Sequence, residues 1–179
     1  MEKVKVRDKE FSLFLTAEDI DKAVEQVAEM INIDMKDRDP LFLCVLNGAF
    51  IFASDLLKKV KVDCEISFVK LSSYVGTKTT NTVRELIGLD QVLKDRTVVV
   101  IEDIIDTGIT MDYTLNKLRS LGALDVRIAS LLFKPEAFKK DYPIDYVGIV
   151  IPNEFIVGYG LDYDGHGRNL PDIYKIIED

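Results

Sequence analysis

The stretch Val98–Thr110, VVVIEDIIDTGIT, decides the fold. Four β-branched residues in a row, Val98 to Ile101, form a strand buried on both faces, because no polar alternation interrupts them. Glu102, Asp103 and Asp106 follow at once. Thr107, Gly108 and Thr110 come next, and a helix opens near Met111. A strand, a tight loop and a helix make the repeating unit of a parallel α/β sheet, and such sheets bind ligands at the carboxyl ends of their strands. The loop has the chemistry of an anion cradle. Gly108 lets backbone amides come close to an anion, Thr107 and Thr110 add hydroxyl donors, and the helix aims its positive end at the same spot. Residues 106–110 therefore suit a phosphate monoester, without the GxxxxGK[ST] of Walker-type loops. The acceptor-only oxygens of these carboxylates, Glu102, Asp103 and Asp106, suit the two hydroxyls of a ribose, and they help to hold Mg²⁺ whose other ligands are substrate oxygens and water. A lone DTG turn would read as a solvated helix cap. Two acids, two residues and DTGxT directly after a buried strand do not.

Working outward, strand and helix alternate along the chain. Thr16 and Asp19 form a capping box, followed by Ile20, Val24, Val27, Ala28 and Ile31 at helical spacing. Leu41–Leu46 is a continuous apolar run, hence a buried strand. The spacing predicts a helix over 48–60 and a strand over 62–71. It predicts a helix with Met111, Leu115 and Leu118 as its stripe and Gly122 at its end. Further strands are expected over 96–101, 126–133 and 146–151, with short ones over 156–161 and 173–177. Ser72–Leu86 is polar, threonine-rich and aperiodic, as expected of a mobile functional loop or of plain disorder. The pattern predicts an α/β fold with a mainly parallel central sheet flanked by helices, in one domain over residues 1–179.

Composition narrows the function classes. The chain has 179 residues, 47% of them hydrophobic, enough for a full core. Nothing near Met1 reads as a signal peptide, and no apolar run approaches a membrane span, so a soluble cytoplasmic protein is expected. A net charge of −8 argues against nucleic acid, whose phosphates demand basic patches. Cys44 lies in an apolar run and reads as an inert core thiol. Cys44 and Cys64 are expected to stay reduced. One histidine, His166, and no CxxC exclude a histidine-rich or thiolate metal site, and His166 reads as a surface residue.

VVVIEDIIDTGIT resembles the phosphoribosyl-pyrophosphate motif of the type I phosphoribosyltransferases. LNGAFIFASDLL resembles the pyrophosphate loop of the hypoxanthine-guanine branch. SSY resembles its flexible loop, and SLLFKPE and IPNEFIVGYGLDYDGHGR resemble its purine-binding segments. The matches run in order from about Leu41 to Arg168. The resemblance implies a small hood beside the sheet and a purine-salvage transferase. Such an enzyme joins hypoxanthine, and guanine as well, to phosphoribosyl pyrophosphate, giving IMP or GMP.

It also implies roles. Glu102 and Asp103 bind the ribose hydroxyls. Asp106, Thr107, Gly108, Ile109 and Thr110 hold the 5′-phosphate, with Asp106 as general acid/base facing N7 of the purine. Lys134 contacts the exocyclic oxygen, Phe155 stacks on the base, and the Ile156 backbone reads its edge. Leu46, Asn47 and Gly48 present amides to the pyrophosphate, across a turn that in this family can hold a non-proline cis peptide. Arg168 meets the pyrophosphate, and Asp162 is a ligand, direct or through water, of a second Mg²⁺. Ser73 and Tyr74 sit on the closing loop. Relatives form dimers or tetramers, so a homodimer or homotetramer is implied. Asn47 stands where many relatives have lysine or arginine, Ile109 where many have lysine, and Gly165-His166-Gly167 replaces a bulkier segment. Within the same chemistry, a preference for xanthine or for guanine alone remains open. From another class, a regulator that kept the cradle without catalysis is disfavoured by Asp106, Lys134 and Phe155. A receiver-type or phosphatase domain leaves the purine segments unexplained.

Overall fold

The computed structural model describes residues 2–74, 82–87 and 92–177; side chains of residues 72–91 lie outside that description. A six-stranded sheet forms the centre. Its strands are β3 (Leu41–Leu46), β4 (Glu65–Tyr74), β5 (Thr82–Ile87), β6 (Thr97–Ile105), β7 (Asp125–Phe133) and β8 (Tyr146–Val150), in the order β5-β4-β3-β6-β7-β8. All neighbours pair in parallel except β5, which runs antiparallel to β4 at the edge. After β3 the chain moves to one side, to β4, and later returns to the other side, to β6. The crevice between the carboxyl ends of β3 and β6 is thus the switch point where open α/β sheets bind ligands.

Packing explains the apolar runs. In β3, residues 41–45 are all buried, so both faces of the strand are covered. Phe42 and Cys44 point to one face, where Ile20, Val24, Val27 and Ile31 of α1 (Ala17–Asp34) and Phe52 and Leu56 of α2 (Phe50–Lys59) meet them. Leu41 and Leu43 point to the other face, against Met111, Leu115 and Leu118 of α3 (Ile109–Ser120). Truncating one such side chain to alanine costs roughly 2–5 kcal/mol. The Thr16–Asp19 capping box forms in both directions at the start of α1. Gly122, at φ +83°, follows Leu121, the C-cap of α3. Cys44 is fully buried and its thiol is pushed up to about 12, first by burial and then by the charges of Glu102 and Asp103. Neither cysteine is in a disulfide.

A second, antiparallel sheet stands over the carboxyl edge. It comprises β1 (Lys3–Val6), β2 (Lys9–Leu15), β9 (Ile156–Val157) and β10 (Ile173–Ile176), in the order β1-β2-β10-β9. This is the expected hood, although β1 and β2 have no counterpart in the sequence reading. At the opposite, amino edge of the central sheet, Arg127 donates to Asp125 at 3.0 Å and to Asp145 at 3.1 Å. Asp145 also accepts the Ile128 amide at 2.8 Å.

The polar segment Ser72–Leu86 differs from expectation. Ser72–Tyr74 complete β4, and Thr82–Leu86 lie in β5, where Thr82–Glu85 pair antiparallel with residues 71–74. An edge strand pairs on one side only and needs no apolar alternation, so its polarity looked like a loop. The centre of the expected loop, 75–81, lies outside the described residues. No helix among the described residues is long and apolar enough to cross a membrane.

Candidate active site

Strand β6 runs past the apolar stretch to Ile105, so Glu102 and Asp103 belong to the strand itself. Helix α3 starts at Ile109, two residues earlier than the apolar stripe suggests. Only three residues, 106–108, separate them. Gly108 takes φ +81° as the N-cap and has no side chain to cap with. A Cβ there would be strained by that conformation and would also press on Phe138 and the Tyr142 hydroxyl. Glu102 and residues 104–111, the first turn of α3 among them, line one pocket.

Below the pocket the two acids crowd together. Burial, and then the charge of Asp103, push the Glu102 carboxyl well above its ordinary range. Asp103 is pushed up to about 6, chiefly by burial; the Ile104 amide, the bond with Glu102 and the charge of Arg168 act the other way. Glu102 Oε2 is buried with no hydrogen-bond partner among the described residues. An unsatisfied buried carboxylate oxygen is costly and marks a place where a ligand or ion is expected.

The turn after β3 reaches the same spot. The Leu46–Asn47 peptide is cis. Gly48 packs so tightly on the Asp103 carboxylate that a Cβ would overlap it. Gly160, at φ +100°, lies as tightly against the Gly48 carbonyl. Arg168 donates to Gly160 O at 2.7 Å and pairs with Asp162 at 2.6 Å, while Asp162 also accepts the Gly165 amide at 2.7 Å. Asn47, Gly48, Asp162 and Arg168 therefore converge beside Asp103. Tyr159 ties this loop to α2 through a 2.6 Å bond to Asp55.

On the other side, Lys134 follows β7 and is only 7% exposed. Its ammonium meets Asp106 at 3.3 Å. An inward lysine at the strand end is what the sequence implied. Phe155 is 48% exposed, and its ring packs against Phe11 at 6.3 Å and edge-on to Tyr163 at 5.9 Å. Ile156 is buried in β9 and paired with Lys175 of β10. His166 is at the surface, where its ring meets Arg7 at 3.3 Å.

The cradle, the acids, the β3 turn, Arg168 and Lys134 thus form one cluster. Ser73 and Tyr74 end β4, and their side chains lie outside the described residues. Among the described residues no three His, Cys, Asp or Glu side chains form a preformed metal cage. Reading the sequence missed Tyr142, Phe138, Phe11, Tyr163 and Gly160. Only the positive φ of Gly160 has a local signature, the glycine itself; the others act across long sequence separations.

Residues 14–164 match the phosphoribosyl transferase domain. A hypoxanthine-guanine phosphoribosyltransferase from Streptococcus thermophilus is 39% identical over 168 residues, 93% of each chain. The crystal structure of a hypoxanthine phosphoribosyltransferase from Staphylococcus aureus superposes with a TM-score of 0.87 at 35% identity, covering 93% of this chain and 91% of that one. The Trypanosoma cruzi hypoxanthine phosphoribosyltransferase, solved with the product IMP, also gives 0.87, at 30% identity over 97% of both chains. The chain belongs to the phosphoribosyl transferase domain family, among the hypoxanthine-guanine phosphoribosyltransferases.

Proposed function

We propose that the protein transfers the 5-phosphoribosyl group of phosphoribosyl pyrophosphate to N9 of hypoxanthine, and of guanine, releasing pyrophosphate. One observation carries the reading of the base pocket: Lys134 and Asp106 stand 3.3 Å apart beside the phosphate cradle. On a 6-oxopurine, O6 and N7 are neighbours on one edge. The lysine donates to O6 while the carboxylate receives the N7 proton. Phe155, with one face open, stacks on the ring, and the Ile156 backbone meets its far edge.

The mechanism follows from this placement. Residues 106–110 hold the 5′-phosphate by amides and hydroxyls. Glu102 and Asp103 accept from the ribose hydroxyls, which relieves the orphaned oxygen at Glu102. Asn47, Gly48 and Arg168 hold the pyrophosphate. The N9–C1 bond forms as the bond from C1 to the pyrophosphate oxygen breaks, and the N7 proton passes to Asp106. The hood shields the reacting carbon from water.

The donors fit Mg²⁺ carried in with the substrate, since Glu102 offers an unpartnered oxygen and Asp103 lies beside it. Bound there, the cation supplies charge neutralisation on the departing pyrophosphate. Asp162 is already engaged by Arg168 and the Gly165 amide, so a water-mediated contact with a second Mg²⁺ suits it better than direct ligation. A cytoplasmic homodimer or homotetramer is the accompanying proposal, by family.

The test is a spectrophotometric assay with phosphoribosyl pyrophosphate, Mg²⁺ and each purine in turn. Hypoxanthine and guanine turn over, and excess chelator stops the reaction. Adenine presents an amino donor to Lys134, and an unpaired buried donor costs about 1–3 kcal/mol, roughly a 5- to 150-fold loss. Lys134→Gln, which can donate or accept, loses activity on hypoxanthine and narrows its preference over adenine. Full wild-type preference in that variant would mean that Lys134 does not read the 6-position.

A further inference from the structure

The segment after β7 does more than deliver Lys134. It starts with the Lys134 amide on Ile105 O at 3.0 Å and turns back, with the Ala137 and Phe138 amides both on Lys134 O at 3.2 Å. It then crosses the start of α3. Lys140 donates to Asp112 at 2.7 Å, and the Tyr142 hydroxyl donates to the Gly108 carbonyl at 2.8 Å. Two edge-on contacts at 5.3 Å, Tyr142 on Phe138 and Phe138 on Phe133, brace the phenol from behind.

Gly108 is the residue of the cradle with the least reason to hold still. It has no side chain, sits at φ +81° and caps a helix without a capping bond. Its carbonyl, however, is held twice, by the Asp112 amide at 2.9 Å and by Tyr142. The Gly108–Ile109 peptide is trans, so the Ile109 N–H points away from that carbonyl. With the carbonyl held on the helix side, the Ile109 amide must face the pocket lined by residues 106–110. Burial and the negative charges of Asp112 and Glu102 raise the Tyr142 phenol, which keeps it a donor.

We propose that Tyr142 is a positioning residue for the 5′-phosphate: by holding the Gly108 carbonyl it locks the Gly108–Ile109 peptide with the Ile109 amide turned into the cradle. The inference rests on reading residues 106–110 as the 5′-phosphate site. Tyr142 touches no substrate, and the same strap joins the residue that reads the base to the loop that holds the phosphate.

Ribose 5-phosphate and inorganic pyrophosphate, each titrated calorimetrically into wild type and Tyr142→Phe, separate the possibilities. The phenylalanine keeps the ring and its contact with Phe138. Ribose 5-phosphate should bind the variant about 3- to 10-fold more weakly, the effect of one hydrogen bond. Pyrophosphate should bind within twofold of wild type. In steady state, KM for phosphoribosyl pyrophosphate should rise by the same factor with kcat nearly kept. Unchanged ribose 5-phosphate binding overturns the proposal. An equal loss for both ligands overturns it too, because that marks a general structural role or a misfolded site. If wild type itself fails to bind ribose 5-phosphate, the cradle reading fails with it.

Discussion

Two groups of acids lie at opposite ends of the same sheet and live under opposite rules. At the amino edge, Asp125 and Asp145 share Arg127, and Asp145 also takes the Ile128 amide. The chain supplies every partner they need. At the carboxyl edge, half-buried Glu102 lies against buried Asp103, and one Glu102 oxygen is buried with no partner among the described residues. The first arrangement spends charge on holding the fold. The second keeps charge unsatisfied until a ligand arrives, which is how a site stores binding capacity at the expense of stability. Mutations at the two edges should therefore separate activity from stability.

The largest contrast is expected at Asp106. Asp106→Ala should lower kcat roughly 100- to 10,000-fold, the range of general acid/base catalysis, with a much smaller effect on phosphoribosyl-pyrophosphate binding, since the cradle is mostly backbone. Near-normal turnover would move the proton acceptor elsewhere. Asp145→Ala should do the reverse. It strands the Ile128 amide and half of the Arg127 guanidinium, at about 1–3 kcal/mol, lowering Tm by roughly 2–10 °C while kcat stays within a few-fold of wild type. A variant of normal stability would break the contrast from the other side.

Glu102→Gln sharpens it further, with the smallest effect. Both carboxyls have folded-state values raised above their unfolded ones. Their contribution to stability is thus intact at about pH 4, where unfolded carboxyls titrate, and falls as pH rises through about 6, where Asp103 ionises. Removing one acid relieves this. The ligand-free variant should melt roughly 2–8 °C above wild type at pH 8, with the gap closing towards pH 4, while turnover falls. A gap that stayed constant with pH would show that the buried charge is not its source.

Much of this was legible beforehand, and the parts that were not share a cause. LFLCVL and VVVI announce strands because both faces of each are buried. The DTGIT stretch announces a tight turn because its strand and helix fix it locally. Thr16 and Asp19 cap α1 as read. By contrast, β1 and β2 carry only a few apolar positions among charged ones, and they are strands through pairing alone, β1 with β2 and β2 with β10. The start of α3 was read at Met111 because the apolar stripe starts there, whereas the helix starts where Gly108 permits. Tyr142 carries no local sign of its role, since its partner lies 34 positions away. Thr82–Leu86 looked like part of a loop because an edge strand need not be apolar.

The hood has a consequence in time. Strand β9, next to Phe155, is paired to β10, and β10 is paired to β2; the Ala17 amide bonds Asp172 across 155 positions of sequence. Contacts that distant form late, because the intervening chain must first be ordered. The β6–α3 cradle needs only neighbours within the central sheet. As the polypeptide leaves the ribosome, the half of the site proposed to hold the sugar phosphate can therefore be complete while the wall proposed to meet the base is still waiting for β10 to be made.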